Sequence, residues 1–163
     1  MNSIETIIYI EQYRSEDFKE VKKLLSYICE TEIEQSTLEK RYIDSTHFIL
    51  IAKVLPQNTV AGCALVEKRD DYVRNSSILY LTYLATHVNF RGKGVGKMLI
   101  KEIEMMCKKM GCSAIELTSA NFRVEAHSFY KALGFTAKKT THFIKENSNL
   151  NHNEIFFETN SKI

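Results

Sequence analysis

The chain has 163 residues, 44% of them hydrophobic and 26% charged, with a formal net charge of +2. That length suits one domain (1–163) with a sizeable core, and the charge balance is too even to argue for nucleic acid or an anionic membrane surface as partner. No apolar run reaches the roughly 18 residues of a bilayer span, and Met1-Asn2-Ser3-Ile4-Glu5 lacks the basic and apolar regions of a secretory leader, so the expected location is the cytoplasm.

Taken in order, Thr6–Ile10 reads as a first strand, with Tyr13-Arg14-Ser15 leaving it. Ser15 suits a helix cap, and Phe18, Val21, Leu24, Leu25 and Ile28 line one helical face through about residue 30. An acidic connection with Glu30, Glu32 and Glu34 leads to a shorter helix, Ser36–Ile43, broken by Asp44-Ser45. His47–Val54 and Val60–Lys68 read as strands of a hairpin joined at Pro56-Gln57-Asn58. Arg69–Asn75 is a polar loop, and the uncharged run 78–88 has the composition of a strand buried on both faces.

The apolar period then changes. Val95, Met98, Leu99, Ile103, Met106 and Met110 form one face of a helix, which Gly111 ends. Ala114–Thr118 returns as a strand, Ser119–Phe122 turns, and Val124–Leu133 is a helix stopped by Gly134. Lys138–Lys145 reads as a further strand. Residues 146–163 form a polar extension in which Glu154–Thr159 adds a last strand. This order gives a mixed α/β sheet with helices on both faces. The cysteines Cys29, Cys63, Cys107 and Cys112 form no C-x-x-C pair and no zinc-ligand spacing, and read as reduced, packed thiols with no metal site.

Between the central strand and the long helix stands Arg91-Gly92-Lys93-Gly94-Val95-Gly96, which holds three of the six glycines in the chain. Glycines bring backbone N–H groups close to a ligand, and the helix start adds unpaired donors and the positive end of its dipole. With Arg91, Lys93 and Lys97 around it, the turn reads as a cradle for phosphate or pyrophosphate. The plainer alternative is a connection whose glycines relieve strain and whose cations are solvated. Met98 after Gly96-Lys97 breaks the Walker pattern, and Lys97 stands where a dinucleotide fingerprint needs its third glycine.

These residues resemble the Q/R-x-x-G-x-G/A loop of the GNAT superfamily of acetyl-CoA-dependent N-acetyltransferases. Leu84-Ala85-Thr86-His87-Val88-Asn89-Phe90 resembles the strand end written L-A-V-H-P-x-Y. Ala126-His127-Ser128-Phe129-Tyr130-Lys131-Ala132-Leu133-Gly134-Phe135 is similar to A-x-x-F-Y-x-x-x-G-F. The resemblance implies the GNAT fold, a mostly antiparallel mixed sheet splayed into a V between its fourth and fifth strands, with the pantetheine of acetyl-CoA in the opening. It implies that Arg91, Gly92, Lys93, Gly94, Val95, Gly96 and Lys97 hold the pyrophosphate. It further implies that Ala85, Thr86 and Val88 pair with the pantetheine, and that a β-bulge near Leu84 and Ala85 splays the sheet. Members are often dimers, which admits a homodimer.

By the same resemblance Tyr130 protonates the departing thiolate, although its place on the apolar helix face also suits a packing role. Asn121 and Ser128 lie near the same opening, but Arg123 stands where the family often has asparagine. Many members carry a carboxylate where this chain has Leu81, Thr82 and Tyr83. The remaining base candidates are Glu67, Asp70, Asp71, Tyr80 or Tyr83 acting through water, and His87, which also reads as a strand end. The expected activity is direct acetyl transfer to a primary amine of a small molecule or peptide. The missing carboxylate motivates an alternative, a non-catalytic CoA-binding or interaction module. Glu30, Glu32, Glu34, Asp70 and Asp71 suit a cationic acceptor if they wall its site, and otherwise read as solvated surface.

Overall fold

Two apolar cores, one on each face of a single sheet, follow from the alternation of side chains along its strands. The computed structural model describes residues 7–28, 32–42 and 44–145. The strands are β1 (Ile8–Gln12), β2 (His47–Val54), β3 (Thr59–Asp71), β4 (Ser76–Thr86) and β5 (Ala114–Glu116), in that spatial order. The first four are antiparallel neighbours, and β5 runs parallel to β4. The helices are α1 (Phe18–Ser26), α2 (Gln35–Tyr42), α3 (Val95–Lys109) and α4 (Val124–Ala132). Ala64 and Val66 of β3 join the core built with Val95, Leu99, Ile100 and Ile103 of α3. Cys63 and Leu65, their alternates, join the core built with Val21, Leu24 and Leu25 of α1 and Leu38 of α2.

Several sequence expectations change. Ser15–Asp17 is a short 3-10 turn, and the capping bond there runs from the Arg14 N–H to Asp17 Oδ2 rather than to Ser15. Helix α1 stops at Ser26, whose hydroxyl donates to the Lys23 carbonyl. β3 continues through the expected polar loop to Asp71, because Lys68–Asp71 find ladder partners in Ser76–Leu79. The Asp71 carboxylate then closes the turn by accepting the N–H groups of Val73 and Arg74. The central strand ends at Thr86, not Val88. His87 Nδ1 accepts the Asn89 N–H and starts the 3-10 turn Val88–Phe90. β5 ends at Glu116, short of Thr118.

Lys138–Lys145 forms no strand. The segment is exposed and pairs with no strand among the described residues, and β-propensity without a ladder partner does not make a sheet. The expected start of the first strand at Thr6, Cys29 and Glu30, the helix end at Ile43, and the strand Glu154–Thr159 lie outside the described residues.

Nor is β4 buried on both faces: Leu79, Leu81 and Ala85 are buried, while Tyr80, Thr82, Tyr83 and Leu84 are half-buried. The cause is its short partner. β5 flanks β4 only at Ile78, Leu79 and Tyr80, and the strand beyond them lines an opening.

Gly62, which sequence patterning did not single out, sets how closely α3 sits on this sheet. A Cβ there would lie 2.8 Å from the Ala85 carbonyl oxygen and 2.8 Å from Val95 Cγ1. Gly62→Val therefore overpacks the junction of β3, β4 and the start of α3. It is expected to cost about 1–3 kcal/mol in urea unfolding and, by displacing the loop ahead of α3, to weaken anion binding there.

Candidate functional site

The opening beside β4 begins where β5 stops pairing with it, and an extra residue of β4 stands just beyond that point. Leu65 of β3 pairs with Tyr83, but Val66 pairs with Leu81, so Thr82 is a β-bulge. The bulge exchanges the faces of the strand. Leu79 and Leu81 point into the α3 core before it, whereas Tyr83 and Ala85 pack toward α1 and Leu84 toward α3 after it. It lies two residues earlier than the Leu84–Ala85 position inferred from resemblance. From Leu81 to Thr86, β4 has no strand neighbour on its β5 side among the described residues, and its backbone is open along that edge.

The glycine turn lies where this open edge ends. Gly92 and Gly94 have φ of 73° and 85°, the left-handed region that side chains disfavour. Gly96 has a different reason to be glycine, since a Cβ would meet Phe129 Cζ of α4 at 3.2 Å and Thr86 Oγ1 at 3.8 Å. The start of α3, the end of β4 and α4 thus meet at one point. Among the described residues, no hydrogen bond takes up the N–H groups of Gly92, Gly94, Val95, Gly96 or Lys97. The Lys93 N–H is used within the turn, donating to the Phe90 carbonyl at 3.3 Å. Arg91, Lys93 and Lys97 are exposed, and Lys93 Nζ lies 5.4 Å from the centre of the Phe90 ring.

Next to the turn is a recess of about 260 Å³ lined by Leu84, Ala85 and Thr86 of β4, by Leu24, Tyr27 and Ile28 at the end of α1, and by Arg91 and Arg123. Arg123 immediately precedes α4 and is the recess residue that the sequence nominated only as a departure from a family pattern. Tyr130, two turns along α4, packs edge-on against Phe129 and Phe135 with ring centres 5.3 Å and 5.6 Å away. Burial raises its pKa, and the Arg123 charge partly opposes the rise. Its hydroxyl is therefore a proton donor at neutral pH, and no hydrogen bond among the described residues occupies it.

The other nominated residues divide. Val88 lies beyond β4 in the 3-10 turn and is exposed. Asn121 is exposed in the turn before α4, and the Ser128 hydroxyl donates to the Val124 carbonyl of its own helix. Tyr83 stands just after the bulge, but Glu67 is opposite Tyr80, farther from the loop, with its carboxylate taken by Arg69. Three of the acidic side chains expected to wall an acceptor site have local partners. Glu32 pairs with Lys22 at 3.0 Å, Asp70 accepts the Ser77 hydroxyl at 2.6 Å and pairs with Lys68, and Asp71 pairs with Arg74. Cys63 is fully buried, which pushes its thiol pKa up to about 12 and removes it as a nucleophile. Among the described residues there is no cluster of metal-ligating side chains, and no helix is long and apolar enough to cross a membrane.

The fold agrees with comparisons to known proteins. The chain is 34% identical over 93 residues to the GCN5-related N-acetyltransferase 4, chloroplastic, of Arabidopsis thaliana, an alignment covering 52% of this chain and 32% of that one. It is 28% identical over 115 residues to the N-acetylaspartate synthetase of Danio rerio, covering 70% and 39% respectively. The chain thus spans 32% and 39% of the length of these curated relatives. The crystal structure of glucosamine-6-phosphate N-acetyltransferase from Arabidopsis thaliana superposes with a TM-score of 0.74 at 19% identity, over 86% of this chain and 99% of that one. The acetyltransferase (GNAT) family model matches residues 8–135, from β1 to the end of the Tyr130 segment. The chain belongs to the GNAT acetyltransferase family.

Proposed function

We propose that the chain transfers an acetyl group from acetyl-CoA to a primary amine of a small molecule or peptide by direct attack of the amine. The observation that carries this reading is the row of unclaimed N–H groups at Gly92, Gly94, Val95, Gly96 and Lys97, ringed by exposed cations at the amino end of α3. Those donors fit the pyrophosphate of coenzyme A, and the open edge of β4 fits the amide-bearing pantetheine as a strand-like partner. Acetyl-CoA supplies an activated acetyl thioester.

The residues of the chain do the rest. Backbone N–H groups of the open β4 edge polarise the carbonyl. As the C–N bond forms and the C–S bond breaks, the Tyr130 hydroxyl gives its proton to the thiolate sulfur, and Arg123 favours the tyrosinate left behind. The surplus proton of the amine passes by Tyr83 and water to solvent, since β4 carries no carboxylate at Leu81, Thr82 or Tyr83.

The test is release of free thiol from acetyl-CoA across amino acids, amino sugars, polyamines and short peptides. Release that depends on an added amine is expected. Coenzyme A binding without turnover of any amine points instead to a non-catalytic module. Gly94→Val tests the loop: the space around Gly94 is open, so the substitution perturbs only a backbone held at φ 85°. It is expected to cost about 1–2 kcal/mol in strain, and calorimetry is expected to show about tenfold weaker coenzyme A binding.

A further inference from the structure

The sheet face under α1 and α2 continues past their cover as a polar row. Cys63 and Leu65 of β3 lie in the core with α1, so Glu67 and Arg69 follow on the same face. Glu67 Oε2 accepts Arg69 Nε–H at 3.0 Å and Nη2–H at 2.8 Å. The Arg69 guanidinium carbon lies 3.5 Å from the centre of the Tyr80 ring, and the Tyr80 hydroxyl is 2.9 Å from Thr118 Oγ1. Because Thr118 lies just past β5, the row spans the strands on both sides of the opening.

The guanidinium is thus fixed on one edge by Glu67 and on one face by Tyr80. Its Nη1 has no hydrogen bond among the described residues, and the Arg69 side chain is 45% exposed. A planar fork held in this way, with its outer edge free, matches a carboxylate. We infer that Arg69 binds a carboxylate of the acceptor, and this rests on the acetyl transfer proposed above. Tyr80 is three residues from Tyr83 along β4, roughly 10 Å, so the carboxylate and the reacting amine belong to opposite ends of the acceptor. An ω-amino acid or a short peptide meets that demand, whereas an α-amine beside its own carboxylate does not. Glu67 becomes a positioning residue that holds the fork.

The experiment compares ε-aminocaproate with hexylamine, which share a chain and an amine and differ only in the carboxylate. In the wild type, kcat/KM is expected to favour ε-aminocaproate by about tenfold or more, the worth of a charge-assisted bond. Arg69→Met is expected to bring the ratio to about one through KM. Glu67→Gln is expected to raise KM for ε-aminocaproate without lowering kcat or moving its pH profile, as loss of a base would.

Equal use of both amines by the wild type, or an unchanged ratio in Arg69→Met, overturns the inference. If neither amine is turned over, ε-aminocaproate must still shift the Arg69 Nη1–H signals in NMR spectra of the coenzyme A complex, and no shift overturns it. Failure to bind coenzyme A, or to release thiol with any amine of the wider panel, is instead failure of the acetyl-transfer reading.

Discussion

Tyr130→Phe is expected to lower kcat by about 100-fold or more while leaving KM for acetyl-CoA near its wild-type value. The substitution removes one oxygen and keeps the ring. The edge-on contacts with Phe129 and Phe135 survive, and the fold loses no hydrogen bond, since none among the described residues holds this hydroxyl. What goes is the proton donor. Burial raises the pKa of Tyr130 above the ordinary value of 10.0, against the opposing charge of Arg123. The acid form therefore persists through neutral and mildly alkaline pH, and the alkaline fall of kcat in the wild type is expected above pH 10. A purely structural Tyr130 predicts the opposite, with kcat and its pH profile the same in the Phe variant.

Lys53→Met is expected to cost about 3–5 kcal/mol in stability, the toll of breaking a buried charge cluster. Lys53 is 8% exposed, and its Nζ lies 2.6 Å from Glu11 Oε1 and 2.8 Å from Asp17 Oδ1, with Asp17 itself 5% exposed. These contacts tie β2 to β1 and to the turn that opens α1. Methionine nearly fills the space but leaves two carboxylates facing each other without the buried cation between them, and only the exposed Arg14 guanidinium stays near, 3.6 Å from Glu11 Oε2. Burial disfavours the charge on Lys53, yet the hydrogen bonds and attraction of Asp17 and Glu11 outweigh it and raise its pKa. A raised lysine pKa stabilises the fold fully below the ordinary value of 10.5 and loses that contribution as pH climbs through the folded value. Urea unfolding is thus expected to show a decline in wild-type stability above about pH 10.5 that Lys53→Met lacks.

The glycine turn and the long helix after it were legible in the sequence because charge, glycine spacing and a change of hydrophobic period mark them locally. β2 was bounded correctly for the same reason. The bulge at Thr82 was not legible. The run from Ile78 to Val88 is uncharged and largely apolar on both faces, so a one-residue insertion that exchanges its faces leaves no trace in the pattern. Gly62 looked like any strand glycine, because its constraint comes from Val95 and the Ala85 carbonyl, both distant in sequence. Glu67 was nominated as a base from its place near a strand end. The contact of Glu67 with Arg69 along β3 shows the carboxylate as the partner of a guanidinium, which the pairing of β3 with β4 sets over Tyr80. Lys53 carried no signal either, since its partners Glu11 and Asp17 reach it only through the sheet and the start of α1.

The site at the amino end of α3 is tested most directly by following backbone amide NMR signals as coenzyme A is added. The N–H signals of Gly92, Gly94, Val95, Gly96 and Lys97 are expected to move together and downfield as they gain an acceptor, with Lys93, already bonded to Phe90, moving least. Saturable binding that leaves those signals in place and perturbs another surface would contradict the account.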